Sequence, residues 1–561
     1  MESISLTWRS LLAYIALVLV LTYPMILSPT QVVVGHEYAS VACHIWVLWW
    51  AREHLGELDT DLIFYPHGAD VVQLYGSDIL SPPLLAQLPF SLPLLYNGWV
   101  LLLLLIGAMG ARRLALYFEL PPRSAFIAGV FFCSAPFFQH EMLNGTSELL
   151  STGLLPWYGW LFLSMLDSPT REKALGIGLI AGVLLCLSAY NPFFMLLLSL
   201  VFLIFRLIRS SAPVLTREVW RKSAWAVLIF SPFLIGAGFL QLLHGAGETF
   251  SRRTSWLDKG LALPDSYVGV TDWFDPRETD LPAMLSFPNG DSFAYWTTCT
   301  VYIGWIAIFG IIWGWRPAKH GALRMMQWLL IISMLIAMGP YLRIENELVS
   351  FFGFTIHLPA YTIGYLFPLF AITAMHAYRY SALVVLSSSI LAAQRLRSLG
   401  WVVLILLEIL LIAPQPYPSP ITQMPNSEVL EYLARQPEGA VFTYPIKREE
   451  LRDLGRVLLA QTVHGKPIHD GGIHGRAGFE ATQLFRDNFV VDQLSARMNI
   501  EYPTKTEATI GFQDLYAQGY RYILCAVEET EALEWGIEVL GTPLKQDQEW
   551  ALWSVAVIQQ R

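Results

Sequence analysis

The chain has 561 residues, of which 54% are hydrophobic and 14% charged, whereas an ordinary soluble domain is about 25% charged. That balance excludes a wholly soluble globular protein. The formal net charge of −9, with no basic patch and no phosphate-cradling glycine loop, gives no support to a nucleic-acid binder or a P-loop nucleotide enzyme.

Apolar stretches long enough to cross about 30 Å of hydrocarbon as helices recur along the chain. They are expected near 10–28, 97–117, 123–139, 147–166, 173–190, 192–209, 223–243, 297–315, 323–340, 379–395 and 400–414. The first begins after Arg9 and runs on into further spanning segments without a small-residue cleavage site, so it reads as a retained helix rather than a signal peptide. Between the first and second crossings lies loop 29–96. It carries Glu37, Glu53, Glu57, Asp59, Asp61, Asp70 and Asp78 against the single basic Arg52. Within it Trp46, Trp49 and Trp50 stand at i, i+3 and i+4 and share one helical face, which predicts an amphipathic helix lying in the membrane interface. A second long loop spans 245–296, and loops of this length are more often functional than idle.

With the N-terminus inside, the inner side gathers most of the basic residues, among them Arg112, Arg113, Arg171, Lys173, Arg206, Arg221 and Lys222. This is the bias of a cytoplasmic face. The stretch 356–380 has two prolines and ends in His376, Tyr378 and Arg379. Read as a crossing, it would carry the C-terminal region to the cytoplasm. Read as a re-entrant or surface-lying outer segment, it keeps Arg395 and Arg397 inside and puts Arg379 at the outer face, and the second reading fits the charges. The cysteines Cys43, Cys133, Cys186, Cys299 and Cys525 form no CxxC pair, so neither a zinc knuckle nor a disulfide framework is indicated.

After Pro414 the proline-rich "PQPYPSP" acts as a semi-rigid spacer, and ordinary charged sequence follows. "AVFTYP" (440–445) and "YRYILCAV" (520–527) read as buried strands. "EVLEYLARQ", "REELRDLGRVLLAQTVHG" and "ETEALEWGIEVL" have helical periodicity. The expected fold is a polytopic α-helical membrane protein of about 11 transmembrane helices. Residues 1–414 form the membrane domain with its outer loops, and 415–561 form a soluble extracytoplasmic α/β domain.

Several stretches carry a resemblance: "HIWVLWWAREHL" and "FYPHGAD" in the first loop, "NGTSELLSTGLLPWYGW" at 144–160, "IHLPAYTIGYLFPLFAITAMHAYRYSALVV", and "LLAQTVHGKPIHDGG" near the C-terminus. Together with the layout of helices and outer loops, they resemble the GT-C superfamily of integral-membrane glycosyltransferases. Protein O-mannosyltransferases and the lipid A aminoarabinose transferase belong to it, and the chain looks most like poorly characterised bacterial members. The resemblance implies an inverting transferase of the bacterial inner membrane. Such an enzyme takes a sugar from a polyprenyl-phosphate carrier and passes it to an acceptor at the outer face, with an acidic residue of the first loop taking part.

That chemistry needs a base for the acceptor hydroxyl and a cation for the departing phosphate. Glu37 is the candidate base and Arg379 the candidate donor-phosphate partner, since a guanidinium suits a phosphate bidentately. Members of the superfamily usually carry an aspartate about six residues before the tryptophan matching Trp46. That position here is Ser40, and Glu37 is the nearest acid. His36 and His44 flank Glu37 in a spacing that fits no defined metal motif. His140, Glu141, Asn144 and Glu148 crowd the outer turn between the third and fourth crossings, as residues supporting an acceptor pocket. Asp70 and Asp78 read as loop-structuring residues before catalytic ones. His464, His469 and His474 recur every five residues beyond the spacer. No metal and no organic cofactor is called for; the expected partners are a polyprenyl-phosphate-linked sugar, membrane lipid and an acceptor, with no nucleic acid. A noncatalytic relative that binds a lipid-linked glycan or scaffolds an envelope-assembly complex is the second reading. A transporter is third, disfavoured by the one-sided loops and the lack of inverted repeats.

Overall fold

The computed structural model describes residues 4–37, 40–57, 59–70, 78–209, 214–243, 301–315, 321–344, 347–352, 354–366, 377–412, 417–445, 451–471, 488–494, 500 and 502–556. Loop 245–296, the start of the crossing expected at 297–315, the middle of segment 356–380 and His474 lie outside the described residues. The chain divides into two compact units. One joins Met1–Ser28 to Asn97–Pro420, and the other joins Pro29–Tyr96 to Ile421–Arg561.

The first unit is helical. Leu92–Tyr117, Ser147–Asp167 and Asn191–Arg209 are long and apolar enough to cross a membrane, and shorter apolar helices include Trp8–Leu21, Trp305–Gly314, Leu323–Ala337, Ala377–Ala393 and Gly400–Leu411. This is the make-up of a helical membrane protein. Helix Asn191–Arg209 turns Leu196, Leu200, Ile204, Leu207 and Ile208 outward, the side suited to lipid. Helix Ser381–Ala393 is buried on every side, packed against Gly321–Ala337, Trp305–Gly314 and Pro122–Ser134. Its Ser387, Ser388 and Ser389 hydroxyls donate to carbonyls of the preceding turn at 2.7, 3.1 and 2.9 Å, so none of these polar groups is left unsatisfied among apolar neighbours.

The crossing expected at 123–139 is interrupted. Helix Pro122–Ser134 stops at Ala135, whose extended ψ of 134° precedes Pro136, and a separate helix runs Pro136–Leu143. A proline excludes its predecessor from the helical region, and the largely apolar composition of the run concealed that break. Charged residues fasten other helices together. Arg206 pairs with Asp167 at 2.7 Å and donates to the Tyr117 hydroxyl at 2.6 Å, joining three helix ends. Glu408, buried in Gly400–Leu411, accepts from the Tyr302 hydroxyl at 2.6 Å, from the Ile306 N–H at 3.2 Å and from the Trp305 N–H. It thereby occupies the start of helix Trp305–Gly314, where backbone N–H groups lack intrahelical acceptors and the dipole favours an anion.

The second unit is α/β. Its four-stranded sheet has the order Lys545–Gln546, Trp550–Ser554, Tyr520–Ala526, Ala440–Tyr444, with the last pair parallel and the others antiparallel. Alternate residues feed two cores. Phe442, Tyr444, Ile523, Cys525 and Trp553 face Phe512 and Trp535, while Val441, Tyr522, Leu524 and Leu552 face the other way. The register shift between Tyr520 and Tyr522 explains why Tyr520 shares a side with Ile523 despite the odd spacing. Helix Lys505–Ala517 begins with a capping box in which Thr504 and Glu507 satisfy each other's backbone N–H.

The first loop is part of this unit. Strand Val32–Val34 pairs antiparallel with Ile421–Gln423, and helix Val41–Glu53 packs on helix Leu451–His464. Residues 29–96 were expected to belong with the membrane domain; they fold instead with the C-terminal segment. The tryptophan face is corrected with them. Trp46 and Trp50 are buried in a core with Phe64, Leu430, Leu454, Val457 and Leu458, and Trp49 packs at its margin. The Trp46 indole N–H donates to Gln461 Oε1 at 2.7 Å, with both groups buried. A one-sided aromatic stripe suits a protein core as well as an interface, and here a helix supplies the complementary face.

Candidate functional site

Arg379 lies on the 3-10 turn Ala377–Tyr380, which leads directly into helix Ser381–Ala393. It is 7% exposed, so it is not a surface anchor reaching for lipid phosphates. Its guanidinium carbon stands 4.4 Å from the centre of the Tyr190 ring, and its Nε donates to the Tyr378 hydroxyl at 3.3 Å. Such a desolvated cation–π contact is worth about 2 kcal/mol. Tyr190 comes from the turn between helices Arg171–Leu187 and Asn191–Arg209. The position is held from behind by Tyr380, whose ring meets Phe194 edge-on at 5.0 Å.

Two carboxylates share the field of that guanidinium, Glu141 and Glu148. Glu141 lies just past the expected third crossing and Glu148 at the start of the fourth. The break at Ala135–Pro136 starts helix Pro136–Leu143, which carries His140 and Glu141, and Gly145, with φ +74°, turns the chain into helix Ser147–Leu150. Only glycine adopts that backbone angle without cost. Thr146 closes the turn, its hydroxyl contacting both the Glu141 carbonyl, at 3.0 Å, and the Glu141 carboxylate. Burial pushes the Glu141 carboxyl up to about 7; Arg379 and the Thr146 hydroxyl oppose the rise, and Glu148 adds to it. A buried acid of this kind can hold or release a proton near neutral pH. Beneath it, Asn191 donates to Ser151 Oγ and to the Leu184 carbonyl, each at 2.9 Å, fixing the turn that presents Tyr190.

His140, Glu141, Asn144, Glu148 and Arg379 therefore all belong to the first unit, and the two glutamates act on the arginine. His140 and Asn144 are buried in the same turn. Glu37, His36, His44, Asp70 and Asp78 belong to the second unit. Glu37 is exposed in the turn after strand Val32–Val34. Burial lowers the pKa of the neighbouring His36, against the pull of Glu37. Ser40 is the N-cap residue of helix Val41–Glu53. His44 sits on that helix, its ring 6.3 Å from that of Tyr96. Asp70 pairs with Asp59 in a two-stranded ribbon. Asp78 is buried and committed to its own loop, accepting from the Leu80 and Ser81 N–H groups at 3.2 and 2.8 Å and from the Ser81 hydroxyl. Further along the second unit, His464 Nδ1 accepts from the Lys466 N–H at 3.0 Å; burial, then Lys466, drives its pKa down to about 3, so it is a neutral core histidine. Among the described residues no three His, Cys, Asp or Glu side chains gather as a metal site.

Sequence reasoning missed Tyr190, Asn191, Tyr378 and Thr146. The signal for the first two was present: "YNP" interrupts two apolar helices with an aromatic and an amide, polar equipment that a plain turn does not need.

No protein-family model matches the chain, and no curated protein matches it. Among solved structures it is similar to the oligosaccharyltransferase of Archaeoglobus fulgidus in its apo form, with 10% identity over 95% of this chain and 71% of that one and a TM-score of 0.45. The same enzyme tethered to an acceptor peptide gives 10% identity, 99% and 71% coverage and a TM-score of 0.45. ArnT from Cupriavidus metallidurans bound to undecaprenyl phosphate gives 13% identity over 97% of both chains, with a TM-score of 0.44.

Proposed function

We propose that the chain is an inverting membrane glycosyltransferase that transfers a sugar from a polyprenyl-phosphate donor to an acceptor at the outer face of the inner membrane, with its C-terminal region on that side. The observation that carries this reading is Arg379: a buried guanidinium faced by Tyr190, with two carboxylates in its field, at the head of an apolar helix. In this reading the acceptor oxygen attacks the anomeric carbon and the bond from that carbon to the phosphate oxygen breaks. Polyprenyl phosphate leaves with the bonding electron pair, and a carboxylate takes the acceptor proton. Arg379 stabilises the charge that grows on the phosphate, displacing part of its interaction with Glu141 and Glu148. Glu37 is the proposed base, and His140, Asn144 and the two glutamates are the proposed supporting residues around Arg379.

The test is transfer of labelled sugar from polyprenyl-phosphate donors by the purified chain in liposomes, with wild type, Glu37→Gln and Arg379→Lys compared. Arg379→Lys keeps the charge but loses the planar fork, and is expected to slow transfer about 100-fold. Loss of transfer in Glu37→Gln supports its role as base, and unchanged transfer removes it. A second reading, a noncatalytic glycan-binding relative, is favoured by Ser40 standing where the superfamily usually has its aspartate. Donor binding without transfer by the wild type would establish it.

A further inference from the structure

Between helix Gly321–Ala337 and helix Pro359–Leu366 the chain forms two small hairpins, Arg343–Ile344 with Glu347–Leu348 and Ser350–Phe351 with Phe354–Thr355. The second is aromatic at its tip and turned outward: Phe351 is 67%, Phe352 87% and Phe354 79% exposed. Phe352 has φ +50°. The pairing of Ser350 with Thr355 and Phe351 with Phe354 leaves a two-residue connection, where turns of this length favour asparagine, aspartate or glycine. A phenylalanine in left-handed backbone is a steric outlier, and such strain concentrates where a residue has work to do. The side chain makes no core contact that would repay it, being almost wholly exposed.

The base of the hairpin is fixed. The Leu342 N–H donates to the Ile356 carbonyl at 3.0 Å, Val349 to Leu342 at 3.0 Å, Ile356 to Val349 at 3.1 Å and Leu358 to Pro340 at 2.8 Å. Tyr341, His357 and Tyr361 stack beside it, with ring centroids 4.1 to 5.8 Å apart. The hairpin is thereby tied to the end of the apolar helix Leu323–Ala337, whose Trp328 and Ile331 are outward-facing. Phe352 is three residues beyond Val349, a reach of about 10 Å at strand rise. That is long enough to cross the headgroup layer on one side of a bilayer, about 5–7 Å. The aromatic tip is thus continuous with an apolar helix that turns Trp328 and Ile331 outward.

We propose that the Ser350–Thr355 hairpin is an interfacial anchor whose Phe351, Phe352 and Phe354 insert into the headgroup–acyl boundary of the bilayer that the helices span. Its occupant is the lipid surface, not a protein. A rigid anchor ahead of Arg379 in the chain would set the depth of that part of the chain relative to a membrane-borne ligand.

The test places the photoreactive benzoylphenylalanine at position 352, and separately at 354, in the full chain reconstituted in phosphatidylcholine–phosphatidylglycerol vesicles. The exposed Gln546 of the second unit serves as the comparison site. After irradiation, mass spectrometry of the intact chain is expected to find lipid adducts at 352 and 354 at roughly 5-fold or more the level at 546, as an inserted residue requires. Adducts to a second copy of the chain, or lipid adducts no more abundant than at 546, would overturn the proposal. A chain with Phe351, Phe352 and Phe354 all changed to serine adds an independent reading. Lipid adducts from benzoylphenylalanine at the neighbouring position 350 are expected to fall in it, and undiminished adducts would again count against insertion.

Discussion

Glu141 illustrates how one side chain joins stability to chemistry. Its carboxyl titrates near 7 in the folded chain, against 4.5 for an ordinary glutamate. Because the folded value is raised, the folded state holds the proton more tightly than the unfolded one. The resulting stabilisation is complete below pH 4.5 and is lost as pH climbs through 7. Glu141→Gln mimics the protonated acid at every pH. Thermal unfolding in detergent is therefore expected to give a wild-type Tm that falls between about pH 4.5 and 7.5 and a Glu141→Gln Tm that falls less over that window. Parallel curves would show that Glu141 titrates normally. At this scale the sequence was informative where position alone sufficed. Arg379, Glu141 and Glu148 stood out as charges bordering apolar runs, a costly placement that marks function. Tyr190 and Thr146 did not, because a tyrosine or threonine at a helix end is unremarkable until its partner is known.

Among elements, helix Val41–Glu53 shows what periodicity does and does not convey. Its apolar stripe was legible; what the stripe faces was not, since burial against Leu454, Val457 and Leu458 depends on residues some four hundred positions away. The Trp46–Gln461 hydrogen bond at 2.7 Å gives the measurement that distinguishes core from interface. Trp46→Phe preserves the apolar ring for a membrane surface but leaves Gln461 Oε1 short of a donor in a buried site. The expected loss is about 1–3 kcal/mol of unfolding free energy, read by denaturant titration. An effect under about 0.5 kcal/mol would argue that the indole N–H is not engaged. The strands Ala440–Tyr444 and Tyr520–Ala526 were legible as continuous apolar runs, the mark of strands buried on both faces. Trp550–Ser554 escaped notice because five residues between polar neighbours carry little periodic signal.

For the whole molecule, the boundary between units is the finding least accessible from sequence. A composition change at Pro414 is real, yet the second unit is completed by residues from the opposite end of the chain. The pairing that closes it, Val32–Val34 with Ile421–Gln423, is three residues long on each strand, too brief for any pattern to announce. Residues 415–561 expressed alone would leave the Leu454, Val457 and Leu458 face of helix Leu451–His464 uncovered. That fragment is expected to aggregate or to bind a hydrophobic dye, whereas 29–96 joined to 415–561 by a flexible linker is expected to stay soluble and unfold cooperatively. Equal solubility and equal cooperativity of the two fragments would mean that the first loop adds nothing essential.

The same discontinuity bears on biogenesis. Residues 29–96 emerge early, but the strand and helix that complete their core are encoded after position 420. At about 5–20 residues per second of synthesis, Trp46, Trp50 and Phe64 must wait tens of seconds for their partners. Truncated products ending before Ile421 would consequently present an unfinished aromatic surface, a natural handle for quality-control proteases to tell incomplete chains from finished ones.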